Sequence, residues 1–260
     1  QDPNRVEDDH WFMTEYYGER STYKDTPRYP LQGSGLSVDS YVDGTVEDWT
    51  EGALELTAEQ SLRVAHSTLV APFTTTFGKG KKQEEKTFSG ADKRTVDMQE
   101  NDFLIEVLIK PAGDGSIVQK VDGTGYELRI DGGAAVLRLS DGDAELTATG
   151  PKLARGVWSH LVVEVYRDGG VRMALDGEPA RVSSDGSMPG GSLSNGADFV
   201  VGDGLAATFD YLRVCRGTLE DARTTAAELH AWQFDGPFLK DFTGRQREPG
   251  RSAAGAIASP

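Results

Sequence analysis

The sequence predicts an all-β fold: an antiparallel two-sheet sandwich carrying one short C-terminal helix. Glycine supplies 31 of the 260 residues, a share that favours many turns over long helices. Asp-Gly recurs at Asp43-Gly44, Asp114-Gly115, Asp122-Gly123, Asp131-Gly132, Asp141-Gly142, Asp176-Gly177, Asp185-Gly186 and Asp203-Gly204. In such pairs glycine accepts a positive φ and aspartate bonds its own backbone, which is turn chemistry. Between these turns lie about eleven short apolar runs, the spacing of a two-sheet sandwich.

Taken in order, Ala53–Leu56 and Ser61–Ala65 open the pattern, and Phe103–Ile109, nearly continuous in apolar residues, reads as a central strand. Ser116–Lys120, Tyr126–Ile130, Ala135–Leu139 and Glu145–Ala148 follow, each ended by turn residues. Leu161–Tyr166 and Val171–Leu175 form a hairpin across Arg167-Asp168-Gly169-Gly170, closed by a second turn at Asp176-Gly177. Asp198–Val201 and Ala207–Val214 complete the set. Within the last, strict alternation would put Phe209, Tyr211, Arg213 and Cys215 on one face and Asp210, Leu212 and Val214 on the other.

Residues 74–99 form a polar insertion rich in lysine and glutamate, a mobile loop or a peripheral hairpin. Residues 218–234 carry the helix: Thr225-Ala-Ala-Glu228 offers a capping box, Leu229 and Trp232 follow at helical spacing, and Gly236-Pro237 stops it. The domain therefore spans 35–243, between an aromatic N-terminal arm (1–34) and an extended C-terminal tail (244–260).

A formal charge of −15 argues against nucleic acid, because a phosphate backbone calls for a basic stripe. The run Lys79-Gly-Lys81-Lys82 is followed at once by Glu84-Glu85 and reads as a solvated loop. One cysteine, Cys215, forbids an intrachain disulfide and reads as a packed thiol. No apolar run reaches the length of a membrane span. The chain begins Gln1-Asp-Pro-Asn without an initiator methionine; read as processing of a secretory product, this predicts a secreted, periplasmic or cell-surface protein.

The ordered segments Asn101-Asp-Phe103-Leu-Ile-Glu-Val-Leu-Ile-Lys110-Pro111, Gly115-Ser-Ile-Val-Gln-Lys120, Gly125-Tyr126-Glu-Leu-Arg-Ile130, Gly156-Val-Trp158-Ser-His160-Leu-Val-Val, Val171-Arg-Met-Ala-Leu-Asp176-Gly177 and Phe209-Asp210-Tyr-Leu-Arg213-Val resemble the laminin G-like, concanavalin A-like jelly roll. The resemblance covers roughly Gly35 to Arg216. It implies two curved antiparallel sheets, with Trp158 packed in the core and His160 on the strand beside it. Modules of this kind are typically appended to polysaccharide-degrading or surface-associated bacterial proteins, which makes a secreted bacterial origin the expectation.

The expected function is a non-catalytic module that binds carbohydrate or mediates protein assembly. The alternative is a glycan-active enzyme of the concanavalin A-like superfamily. Glycoside hydrolysis needs two carboxyl groups at a fixed separation, and jelly-roll glucanases carry theirs alternating on one strand. Here Glu106, Glu164 and Asp210 each stand alone in their strands and read as paired or outward-facing charges. There is no G-x-S-x-G elbow, and His10, His66, His160 and His230 lie on separate elements. Sugar stacking needs exposed aromatic platforms, and Trp49 and Trp11 are the candidates, with Trp232 anchoring the helix. One structural Ca2+ is the expected cofactor, held by oxygen ligands from Asp39, Asp43, Glu47 and Asp48 in an early acidic stretch and from Asp203 and Asp210. The expected partners are a polysaccharide, or protein subunits engaged through the N- and C-terminal segments.

Overall fold

The computed structural model describes residues 31–33, 35–44, 52–77, 84–88, 96–219, 229–233 and 240–241. Among the described residues two large antiparallel sheets face each other, as the turn spacing predicts. The first has eight strands in the order β1 (Gln32–Gly33), β4 (Leu62–Val64), β16 (Phe199–Val201), β8 (Gly115–Asp122), β9 (Thr124–Asp131), β10 (Ala134–Ser140), β11 (Glu145–Lys152) and β15 (Ser183–Gly186). The second has nine. Its main path runs β14 (Glu178–Ala180), β13 (Gly170–Leu175), β12 (Ser159–Tyr166), β7 (Phe103–Pro111), β17 (Ala207–Arg216), β18 (Leu229–Gln233) and β19 (Lys240–Asp241). Alongside, β3 (Ala53–Leu56) pairs with β17 and with β2 (Tyr41–Val42).

All eleven apolar runs form strands: eight are extended by one to four residues, Ala53–Leu56 keeps its bounds, and Ser61–Ala65 and Asp198–Val201 are trimmed to Leu62–Val64 and Phe199–Val201. The Asp176-Gly177 turn shows why its sequence was diagnostic. Both residues hold positive φ, 53° and 84°, which is the type I′ geometry that matches strand twist. The Asp176 carboxylate also accepts the His160 N–H at 2.8 Å, tying the turn to β12.

Residues β17 shares with its neighbours contradict strict alternation. The register against β7 slips between Phe209 and Tyr211, so Asp210 is the extra residue of a β-bulge. Phe209 therefore turns inward with Ala207, Leu212 and Val214, while Tyr211, Arg213 and Cys215 face outward. The bulge also divides the far edge of β17: β3 pairs before it, at Ala207–Phe209, and β18 after it, at Tyr211–Cys215.

The helix expected over 218–234 is corrected where the structure describes it. Leu229–Gln233 is a strand, because the open edge of β17 offers a ladder of backbone hydrogen bonds that outweighs local helix preference. Residues 220–228 lie outside the described set, as do most of the N-terminal arm and the whole of the tail. Gln32 and Gly33, placed in the arm by the sequence reading, pair with Arg63 and Leu62 in the first sheet. Of the two readings of the insertion, the hairpin fits: β5 (Phe73–Phe77) pairs with β6 (Glu84–Phe88). Val96 and Met98, which follow, are fully buried in the sandwich.

The core lies between the sheets. Phe103, Ile105, Val107 and Ile109 of β7 meet Tyr126, Leu128 and Ile130 of β9, Leu137 of β10 and Phe199 of β16. The Phe103 and Tyr126 ring centroids are 5.5 Å apart. The Tyr126 hydroxyl donates to Val96 O at 2.8 Å, which satisfies its buried polar end. Each sheet is thus a rigid platform with one face committed to the core.

Candidate functional site

Register fixes what each outer face presents. On the eight-stranded sheet, Gln119, Glu127, Arg138, Thr147 and Asp185 are successive register partners from β8 to β15, one polar row across five strands. The next rows add Arg129 and Thr149 on one side and Ser140 and Glu145 on the other. Glu127 lies 3.8 Å from Arg129 and 3.7 Å from Arg138, and Arg138 lies 3.8 Å from Asp131. Such separations exceed hydrogen-bond length, so these are loose pairs, with the Arg138 side chain 48% and the Glu127 side chain 15% exposed. A cleft of about 450 Å³ opens on this face, lined by Glu127, Arg138, Ser140, Glu145 and Thr147, with Val121, Gly123 and Gly125 at one wall. Its chemistry is that of carboxylate, guanidinium and hydroxyl groups around glycine backbone that has no side chain to block approach.

The outer face of the nine-stranded sheet is built differently. Glu106 of β7 is 0% exposed; one oxygen lies 2.9 Å from His160 Nε2 and the other 2.7 Å from Arg213 Nε. Burial pulls the Arg213 guanidinium down, but the Glu106 carboxylate, with Tyr211 and Cys215, more than offsets it and leaves it above the ordinary arginine range. Beside this triad Leu104, Val162 and Cys215 form a small apolar cluster. Cys215 is a buried thiol that forms no disulfide, in line with its sequence reading. Glu164 accepts from the Leu219 N–H at 2.8 Å and from the Tyr166 hydroxyl at 3.2 Å. The Glu106 and Arg213 charges are thus paired with each other inside the protein, away from solvent.

Trp158 departs from its expected place. It is half-buried and absent from the core cluster, and Lys110 Nζ lies 5.2 Å from its ring centroid. Register explains this: Ser159 pairs with Ile109, an inward residue, so Trp158 and His160 on either side point outward.

Asp39 sits exposed in a 3-10 turn, Val38–Ser40, and Asp43 is exposed beyond β2. Asp203 is exposed after β16, where its carboxylate accepts from Gln119 Nε2 at 2.8 Å. Asp210 is fully buried at the bulge of β17. Among the described residues no three His, Cys, Asp or Glu side chains come together as a metal set. Trp11, Trp49, Glu47 and Asp48 lie outside the described residues. The cleft residues were not singled out in the sequence, although polar residues alternate with apolar ones in Tyr126–Ile130 and Val136–Ser140.

Residues 85–224 match a laminin G family profile described as the concanavalin A-like lectin/glucanases superfamily. The chain belongs to that superfamily. Among solved structures it is similar to the binding domain of Paraclostridial Mosquitocidal Protein 1, at 13% identity over 70% of this chain and 50% of that one, with a TM-score of 0.41. It is also similar to a heptameric pentraxin from Limulus polyphemus, at 15% identity over 45% of this chain and 65% of that one, TM-score 0.36. A third similarity is to botulinum neurotoxin type C, at 10% identity over 74% of this chain and 44% of that one, TM-score 0.45. The chain thus spans between 44% and 65% of the length of these structures. No curated protein matches the sequence.

Proposed function

We propose that this chain is a non-catalytic binding module, that its ligand is a carbohydrate, and that the ligand lies on the outer face of the eight-stranded sheet. The observation that carries the reading is the cleft of about 450 Å³ lined by Glu127, Arg138, Ser140, Glu145 and Thr147. Its volume suits a small polar ligand or a segment of a polymer. Carboxylate, guanidinium and hydroxyl groups together can donate to and accept from sugar hydroxyls. Ladder pairing holds them in fixed positions, so little order has to be created on binding. Membership of a superfamily of lectins and glucanases points to the same ligand class. Secretion or display at a cell surface belongs to this proposal, since polysaccharides are met there.

One observation favours a second reading, a glycan-active enzyme: Glu127 and Glu145 line the same cleft. Glycoside hydrolysis needs one carboxyl that holds its proton, in surroundings poor in cations. Glu127 instead faces two guanidinium groups, which favours binding over catalysis. Screening the full chain on a glycan array, then titrating any hit calorimetrically, tests the first reading; release of reducing ends, lost in both Glu127→Gln and Glu145→Gln, would establish the second.

Assembly through the terminal segments and a structural calcium stay within the same proposal. Light scattering on the full chain and on residues 31–241 tests the first, a change in mass being the expected result. A fall in Tm on chelation, restored by Ca2+, tests the second.

A further inference from the structure

Lys120 ends the inward-facing side of β8, directly opposite Tyr126. Its side chain is 1% exposed, an unusual place for an ammonium group. The Nζ atom donates to Asn195 O at 2.8 Å, to Asn195 Oδ1 at 3.0 Å and to Ala197 O at 3.0 Å, so all three of its protons are used. Two backbone carbonyls and an amide oxygen converging on one positive centre are the donor set that proteins offer to hard cations. Burial pulls the Lys120 ammonium below the ordinary lysine range, a fall that Asp97 and Asp198 partly offset.

The cage is itself rigid. Asn195 Nδ2 donates to Lys120 O and Thr124 O, both at 3.0 Å, and to Leu193 O at 3.2 Å. Asn195 Oδ1 also accepts from the Ala197 N–H at 2.9 Å, and Thr124 Oγ1 donates to Ser194 O at 2.9 Å. Gly125 holds φ of +124°, and a Cβ there would collide with Lys120 O. The loop around Asn195 and the β8–β9 turn therefore close on the ammonium from two sides, and that turn supplies one wall of the cleft.

We infer that Lys120 acts as a built-in structural cation, and that its oxygen cage, once the side chain is cut back, is a binding site for a primary alkylammonium ion. The inference rests on the cage alone and not on the proposed carbohydrate ligand, so the two can fail separately. Lys120→Ala in the full chain removes the stem and ammonium that n-propylammonium would replace. The expected results are a lower Tm and recovery of roughly half the loss or more in n-propylammonium, with none in tetraethylammonium at the same ionic strength and no response in the wild-type protein. If Lys120→Ala does not fold unaided, refolding that succeeds in n-propylammonium and fails in tetraethylammonium is the expected result. Equal effects of the two salts on Lys120→Ala would overturn the inference. So would Lys120→Met, which keeps the stem without the charge, melting at the wild-type temperature.

Discussion

The two outer faces of the sandwich are made by the same alternation of residues yet hold their charges in opposite ways. On the nine-stranded sheet, Glu106 is shut away from solvent and clasped by His160 and Arg213 at 2.9 and 2.7 Å. On the eight-stranded sheet, Glu127, Arg129, Arg138 and Asp131 stand 3.7 to 3.8 Å apart, and the Arg138 side chain is 48% exposed. Closely paired, buried charge fixes a sheet, whereas loosely paired charge that includes an open guanidinium leaves it free to meet a ligand. Charge content alone does not separate structure from function here; burial and pairing distance do.

The sharpest way to break this comparison is to remove Glu106. Glu106→Ala leaves Arg213, 8% exposed, without its anion, and the expected cost is about 3–5 kcal/mol, read by denaturant unfolding. Replacing all three partners with apolar residues, Glu106→Leu with His160→Leu and Arg213→Met, is expected to recover most of that loss. A loss as large in the triple variant as in the single one would show that the triad contributes more than mutual neutralisation. Gly125→Ala comes next: its positive φ and the collision with Lys120 O predict a loss of about 2–3 kcal/mol, measured the same way.

A smaller effect is expected at the edge of the eight-stranded sheet. Asp198 accepts from the His66 N–H at 2.8 Å and from Arg63 Nη1 at 2.9 Å, and these bonds hold its carboxyl below the ordinary aspartate range. A depressed carboxyl contributes stability that is complete above its unfolded value, about 3.9, and is lost as pH falls through the lower folded value. Asp198→Asn should therefore lower Tm at neutral pH and flatten the fall in Tm below about pH 4. The smallest effect on stability belongs to Arg138→Ala, within about 0.5 kcal/mol, because its pairs are long and screened.

Much of this fold is legible in the sequence, and the reason is local. Asp-Gly turns and apolar runs specify strands without reference to distant residues, which is why all eleven runs form strands. What escaped depends on partners far along the chain. The bulge at Asp210 appears only when β17 is set against β7, and it moves Phe209 into the core. Leu229–Gln233 is a strand because β17 has an open edge, which no local helix signal can report. Trp158 reads as core on the family resemblance, yet Leu161, Val163 and Val165 already claim the inward positions of β12. Lys120 gives no sign of burial in Ser-Ile-Val-Gln-Lys, since its oxygen partners lie 75 and 77 residues away. The cleft was partly legible: Glu127, Arg129 and Arg138 alternate with apolar residues, but only register lays them side by side.

The central claim is that ligand binding belongs to the open polar face and stability to the closed one. Calorimetric titration of an array-selected glycan against the wild-type chain, Arg138→Ala and Glu106→Gln tests it most directly, with each melt recorded in parallel. The account predicts at least a tenfold loss of affinity, about 1.4 kcal/mol, in Arg138→Ala at an unchanged Tm. It predicts a lower Tm with retained affinity in Glu106→Gln, measured below its melt. Undiminished binding by Arg138→Ala, or affinity lost in Glu106→Gln alone, would contradict it.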